Sequence, residues 1–354
     1  MVVLFDIVHP AHVHFFKHII RGLQKAGHKT LIVARDKDVT LTLLNHYGFN
    51  YISVGHSGKK NRFSQLKELL YRDWFIWKMA RDSKPKVILT RNPAGVQAAR
   101  LIGAKGIFDT DDGLAAGIHF RAAAPFANII TTPDCLEENF GRKHIKYPGY
   151  KQSAYLHPDH FKPNPEVLRT LGIRPGQKYF LVRFVDMTAS HDTGESGLSY
   201  DVKTRIIEQL LRFGRVFISS EGRLSEKWRS LEINIPPHMM HDALAFAFLC
   251  IGDSQTMAAE AAMLGTLSLR VSTFSGRISY LNELEHRYGL TFGFHPSEID
   301  RFFSKLNEIL KGSNYFESVK ASHERLIREK CNVAQWFIDF IENSISWESD
   351  PQMR

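Results

Sequence analysis

Two rhythms alternate along the first half of this chain. Short apolar blocks bounded by turn residues give way to longer stretches whose apolar residues recur every third or fourth position. The short blocks read as strands covered on both faces, and the longer period reads as helices with one buried stripe. The predicted strands are 2–8, Thr30–Ala34, Tyr51–Val54, Val87–Thr90, Gly106–Phe108 and Ile129–Thr131. Helices are predicted over His12–Lys25, closed by Gly27, and over Val39–Tyr47, Ser64–Asp82 and Ala94–Leu101. Strands separated by helices of this length imply parallel βαβ units.

The alternation breaks between Pro148 and Pro165, where His157-Pro158, Lys162-Pro163 and Asn164-Pro165 disfavour helix. It restarts with a strand at Tyr179–Phe184, a helix at Asp201–Phe213 and a strand at Val216–Ser219. A strand at Phe246–Ile251, an alanine-rich helix closed by Gly265, a strand at Leu267–Arg270 and helices to the end complete the pattern. The expected fold is α/β, with two Rossmann-like αβα domains, 1–160 and 161–330, and a cleft between the carboxyl ends of their sheets. A closing helix in 331–354 is expected to pack back on the first domain. A length of 354 residues suits two such domains, and 44% hydrophobic residues suffice for two cores.

Composition narrows the setting. No apolar run approaches the roughly 18 residues of a membrane span, and the chain opens directly on a strand, so a cytoplasmic protein is expected. Cys135, Cys250 and Cys331 are scattered, which argues against a disulfide framework or a zinc ribbon. The net charge of +9 is uneven, with ten Lys or Arg against three Asp or Glu between Lys59 and Arg91. Phe63, Trp74, Phe75 and Trp77 lie in that stretch. Such a mixture marks a peripheral membrane surface, a nucleic-acid contact, or a helix that buries its rings and solvates its charges.

Candidate chemistry gathers where predicted strands end. Asp253, Ser254, Gln255 and Thr256 fall between a strand and the start of a helix. The first N–H groups of a helix lack internal partners, and with the helix dipole they form an anion seat. Glu260, further along that helix, is placed to accept hydrogen bonds from ribose hydroxyls. A capping role for Ser254 or Asp253 is the plainer alternative. Arg183, His191, Ser219 and Glu221 follow the first two strands of the second half, where an arginine fork suits a phosphate and the others a sugar. Arg270 ends a later strand.

The first strand runs into His9, His12 and His14, side chains suited to proton transfer near neutrality, to capping, or to packing. His12 and His14 do not share a helix face, and His14 with His18 has no evident third ligand, so no metal is expected. Asp111 lies in an acidic turn that reads as solvated or as holding a general base. A Gly-rich dinucleotide loop and a P-loop are both absent, which disfavours NAD use and a P-loop ATPase.

Asp6 to Lys17 (DIVHPAHVHFFK), Ala34-Arg35-Asp36-Lys37-Asp38, Gly149-Tyr150-Lys151 with Ala154-Tyr155-Leu156, and Gly252 to Arg270 resemble the DUF354 family along nearly the whole chain. That family is similar to the GT-B superfamily, with its MurG-like glycosyltransferases and non-hydrolysing UDP-N-acetylglucosamine 2-epimerases. The resemblance implies a donor diphosphate held at Ser254, Gln255 and Thr256, and a ribose held by Glu260. The chain departs from both groups in its first loop, His9-Pro10-Ala11-His12, and from the epimerases in lacking their double glycine after Ser254. The fold and the donor seat therefore transfer more firmly than the reaction.

The leading expectation is a glycosyltransferase of surface polysaccharide or glycolipid synthesis. It would use a UDP-sugar donor, a sugar or lipid-linked acceptor and no further cofactor. His9 or His12 would serve as base, and the 59–91 stretch would face the inner side of the membrane. The alternatives are a nucleotide-sugar 2-epimerase and, in another class, a non-catalytic nucleic-acid-binding protein.

Overall fold

The computed structural model describes residues 1–56, 62–185, 198–222, 224–312 and 315–346, without the side chains of 56, 62–69, 315 and 344–346. In chain order the elements begin with β1 (Val2–Ile7), α1 (Pro10–Lys25), β2 (Lys29–Asp36), α2 (Thr40–His46), β3 (Ile52–His56) and α3 (Arg62–Ser83). Next come β4 (Val87–Thr90), α4 (Pro93–Ile102), β5 (Lys105–Asp109), α5 (Ile118–Ala123), β6 (Ile129–Pro133), β7 (His144–Tyr147) and α6 (Ser153–Leu156). The chain continues with α7 (Glu166–Thr170), β8 (Tyr179–Phe184), α8 (Tyr200–Leu211), β9 (Arg215–Ser220), α9 (Met240–Ala245), β10 (Leu249–Gly252) and α10 (Gln255–Met263). It closes with β11 (Ser268–Val271), α11 (Ser279–His286), β12 (Thr291–Phe294), α12 (Ile299–Lys311), α13 (Tyr315–Glu329) and α14 (Val333–Ser346).

The elements fall into two units, Met1–His160 with Cys331–Arg354, and Phe161–Lys330. Unit 1 holds a seven-stranded parallel sheet in the order β3-β2-β1-β4-β5-β6-β7. The order reverses between β1 and β4, and in open α/β sheets ligands bind at such a reversal, beyond the carboxyl ends of the strands. Phe5 on β1 and Phe15 and Phe16 on α1 are fully buried. α14 closes this core from the far end of the sequence. Phe337 sets its ring 5.6 Å from Phe15 and 5.6 Å from Tyr147. Ile338 takes the space a side chain at Gly22 would need, since a Cβ there would lie 2.1 Å from its Cδ1.

Unit 2 holds a five-stranded parallel sheet in the order β12-β11-β10-β8-β9, reversing between β10 and β8. α10 is capped by Ser254, whose Oγ accepts the Met257 N–H, and residues Met257 to Met263 are buried. Gly252 lets β10 lie close to β8, because a Cβ there would stand 2.0 Å from the Arg183 carbonyl oxygen.

The sequence pattern does not predict the short helices α5, α6 and α7, and three further elements differ from it. Ala243–Ala245 belong to a short buried helix, and the following strand starts only at Leu249. A short apolar run reads the same in a buried helix and a buried strand. β7 is a polar edge strand, His-Ile-Lys-Tyr, paired only with β6. β12 carries Gly293 in its middle, which weakens a strand pattern.

Candidate active site

At the reversal in unit 1, His9 caps α1 by accepting the Ala11 N–H on Nδ1 at 3.2 Å, so the helix opens at Pro10 rather than at His12. His12 sits in the first turn, half-buried, its ring 6.3 Å from that of His9. Its Nδ1 faces the Val8 N–H at 3.5 Å. Burial lowers its pKa well below the ordinary histidine value, and Arg91, His9, Lys151 and His119 push the same way. The ring is therefore neutral at neutral pH. While its Nδ1 accepts from the backbone, the proton of the neutral His12 ring resides on Nε2.

Behind the histidines stands a buried charge cluster. Arg91, just past β4, donates one nitrogen to Asp109 at the end of β5 and another to Asp111 in the following turn. Lys151 reaches Asp111 at 2.6 Å, and Thr131 donates to Asp109 at 3.0 Å. The Arg91 guanidinium also lies 5.4 Å from the Phe15 ring centre. Burial pushes the Asp109 carboxyl up to about 6, against the pull of Arg91. Burial would raise Asp111 as well, but Arg91 and Lys151 overcome it and hold that carboxyl well below the usual range. Asp111 is thus not a solvated turn residue. It is 3% exposed and fixes two cations.

The other histidines of the motif turn inward. His14 is buried and stacks on Tyr155 at 5.6 Å, and His18 stacks on His160 at 4.3 Å. Asp6 is structural, bound by Arg72 of α3 at 2.6 Å and by Thr90 at 3.3 Å.

At the reversal in unit 2 the predicted residues form two groups. Arg183 at the end of β8 donates to Ser219 at 2.7 Å and to Glu221 at 2.5 Å, across to β9. Gln255, in the first turn of α10, accepts from Arg270 at 3.1 Å. Arg270 is 1% exposed and also faces Glu285 at 3.5 Å, while Glu285 accepts the Gly293 N–H at 3.0 Å. Burial lowers the Arg270 pKa and raises that of Glu285. Among the described residues, Gln255 Nε2 and Arg270 Nε have no hydrogen-bond partner. Unpaired buried donors cost free energy, which a bound acceptor would recover. Ser254 and Thr256 are half-buried beside them.

Asp253 and Glu260 are engaged within the protein. Asp253 accepts the Val185 N–H at 2.8 Å, tying the β8 loop to β10, and burial raises its pKa. Glu260 lies 3.2 Å from His241 Nε2 on α9, both side chains largely buried. A ribose at Glu260 would have to share the carboxylate with His241. His191 lies outside the described residues.

Sequence alone assigns no role to Thr90-Arg91-Asn92-Pro93, the turn after β4. Proline at the start of α4 marks it as a strand-to-helix turn on the same edge as His9. Lys151 was within a quoted motif but carried no assigned role. Glu285 and His241 sit inside helices with nothing in the sequence to pair them with Arg270 and Glu260.

The two parallel-sheet α/β domains have the fold of the GT-B class, as structural comparison shows. Solved structures of that fold match nearly the whole chain. The UDP-GlcNAc 2-epimerase of Neisseria meningitidis, bound to UDP-GlcNAc, superimposes with a TM-score of 0.65 at 12% identity, over 97% of this chain and 100% of that one. The glycosyltransferase VinC, in complex with dTDP, gives 0.63 at 12% identity, over 98% and 99%. In sequence, an uncharacterized protein of Methanocaldococcus jannaschii is 25% identical over 298 residues, 78% of this chain and 84% of the relative. Residues 1–283 match the family described as "Protein of unknown function (DUF354)", and the chain belongs to that family.

Proposed function

We propose that this protein is a GT-B-type glycosyltransferase that takes a nucleotide-diphosphate sugar, a UDP-sugar, as donor. The observation that carries the reading is the amino end of α10 at the β8/β10 reversal, with Gln255 Nε2 and Arg270 Nε lacking partners there. First-turn N–H groups and the helix dipole favour a diphosphate, and Arg183 adds charge from the neighbouring strand. A leaving nucleoside diphosphate would be stabilised by these fixed donors without a metal or other cofactor. The neighbours bound to UDP-GlcNAc and dTDP support such a donor.

In this reading His12, neutral at working pH, takes the proton of the acceptor hydroxyl, which requires its Nδ1 to turn from Val8. His9, exposed at the mouth of the same turn, orients the acceptor. Asp111 keeps Arg91 and Lys151 in place. The acceptor is a sugar or lipid-linked sugar of surface polysaccharide or glycolipid synthesis, met at the inner face of the membrane.

Thermal unfolding with a panel of nucleotides and nucleotide sugars tests the donor seat. A ligand at about 100 times its Kd stabilises by about 2.7 kcal/mol. A shift with UDP or one UDP-sugar that Arg183→Ala removes is expected; no shift with any of them sinks the reading. Turnover of donor alone to an epimerised sugar would replace transfer by epimerisation. Salt-sensitive RNA binding with no nucleotide shift would point to a nucleic-acid role instead.

A further inference from the structure

We propose that the outer face of α3, α4 and α5 docks this protein on an anionic lipid bilayer, with Trp74, Leu101 and Ile118 entering the interface. The purpose of the contact rests on the reading of a lipid-linked acceptor, while the surface itself stands on separate observations.

α3 turns Leu70, Tyr71 and Trp74 outward, at 60%, 53% and 49% exposure. Their spacing, together with Trp77, Lys78 and Arg81, puts them on one side of the helix. Leu101 of α4 is 72% exposed and Ile118 of α5 is 85% exposed. Trp74 and Leu101 share one surface groove. The groove, of about 260 Å³ between α3 and α4, is lined by Trp74, Trp77, Ala94, Gln97, Ala98 and Leu101, with Asp73 at its side. Gln97 then donates to the Ala122 carbonyl at 3.1 Å, joining α4 to α5 one turn from Ile118. Single exposed apolar residues are ordinary, but a run of them across three helices marks a contact surface.

The charges beside the patch select the partner. Lys78 lies 5.4 Å from the Trp74 ring and Arg81 lies 4.8 Å from the Trp77 ring. Arg100 and Arg121 are exposed next to Leu101 and just beyond Ile118. Of the acids on this part of α3, Asp82 lies 3.5 Å from Arg81, and Asp73 lies 3.8 Å from Arg72, whose closer partner is Asp6 at 2.6 Å. Lysine is depleted at protein–protein interfaces, and Leu101 and Ile118 offer a nucleic acid nothing to stack on. Trp and Tyr at headgroup depth, aliphatic tips below them and cations facing anionic lipid describe a surface-bound protein. No described helix is long and apolar enough to cross a membrane, so the contact lies on the bilayer.

Flotation of the full chain with phosphatidylcholine vesicles, with and without 30% phosphatidylglycerol, tests this. Binding to the anionic vesicles is expected, falling at least about tenfold in the double variant Trp74→Ser/Leu101→Ser with unchanged thermal midpoint. Arg100→Glu/Lys78→Glu should lose binding too. No binding to anionic vesicles at low salt, or binding that the serine variant retains, overturns the proposal. Loss in the glutamate variant alone would reduce the contact to surface charge and overturns insertion. The same samples are scanned with UDP: vesicle binding without a nucleotide shift removes the donor reading and leaves the docking face, and the reverse outcome removes only the face.

Discussion

The carboxyl edges of the two sheets use charge in opposite ways. In unit 1 the arginine past the reversal is spent internally: Arg91 meets Asp109 and Asp111, and Asp111 also meets Lys151. In unit 2 each arginine faces one carboxylate among the described residues, Arg183 with Glu221 and Arg270 with Glu285. Arg183 is about one-quarter open to solvent, at 23%, and Arg270 keeps a nitrogen with no partner among the described residues. A closed set of ion pairs backs the neutral ring of His12, whereas a set with solvent access is prepared for an anion that arrives with the ligand. Buried pairs need both partners, and of these two unit 2 arginines Arg183 is the one that keeps access to a ligand, while Arg270 is 1% exposed.

The largest expected effect strikes the closed edge. Arg91→Met leaves Asp109 and Asp111 buried without their shared cation and should cost about 3–5 kcal/mol, read as a lower urea midpoint. Arg183→Met should change stability little yet weaken UDP binding roughly 10- to 100-fold, the loss of about 1.5–3 kcal/mol expected for charge-assisted bonds. Equal destabilisation by the two variants would erase the contrast between the edges.

A smaller effect sharpens the role of Glu260. Glu260→Ala strands buried His241 and should cost about 1–3 kcal/mol, while Glu260→Gln keeps a hydrogen bond and should cost less. If Glu260 also meets the ribose, both variants lose nucleotide affinity by titration calorimetry. Unchanged affinity in the glutamine variant removes the ribose assignment and keeps the structural one.

The smallest effect is a pH dependence outside both edges. Burial, then Lys17, His160 and Arg21, lower the His18 pKa to about 3. Below pH 6.5 the unfolded chain binds a proton at His18 that the folded chain refuses. That contribution to stability is complete above 6.5 and drains as the pH falls toward 3. Solvent screening keeps the slope under about 1 kcal/mol per pH unit. Urea midpoints at pH 6.5 and 5.5 should differ less in His18→Phe than in the parent.

The sheets were legible because parallel strands such as Val87–Thr90 and Tyr179–Phe184 are buried on both faces and so are apolar throughout. β7 and β12 escaped because an edge position and a glycine each remove that signal. At the site, a helix start after a strand announces Ser254 and Gln255 locally. The Arg91 cluster draws on the turns after β4 and β5, on Asp109 and Thr131 within β5 and β6, and on Lys151, and only tertiary structure brings them together. The pairing of Glu260 with His241 was illegible for the same reason: the partner lies on a preceding helix whose apolar run reads equally well as a strand.

The return of α14 to unit 1 has a consequence for the order in which the chain can mature. Phe337 and Ile338, which cover Phe15 and fill the gap at Gly22, are among the last described residues to be synthesised. Unit 2, continuous in sequence, can close its core while unit 1 still lacks a wall. A chain halted at residue 330 should therefore show α1 amides exchanging rapidly with solvent while α10 amides stay protected. The domain begun first is finished last, and until then α1 is the surface on which a nascent chain of this kind would need shielding.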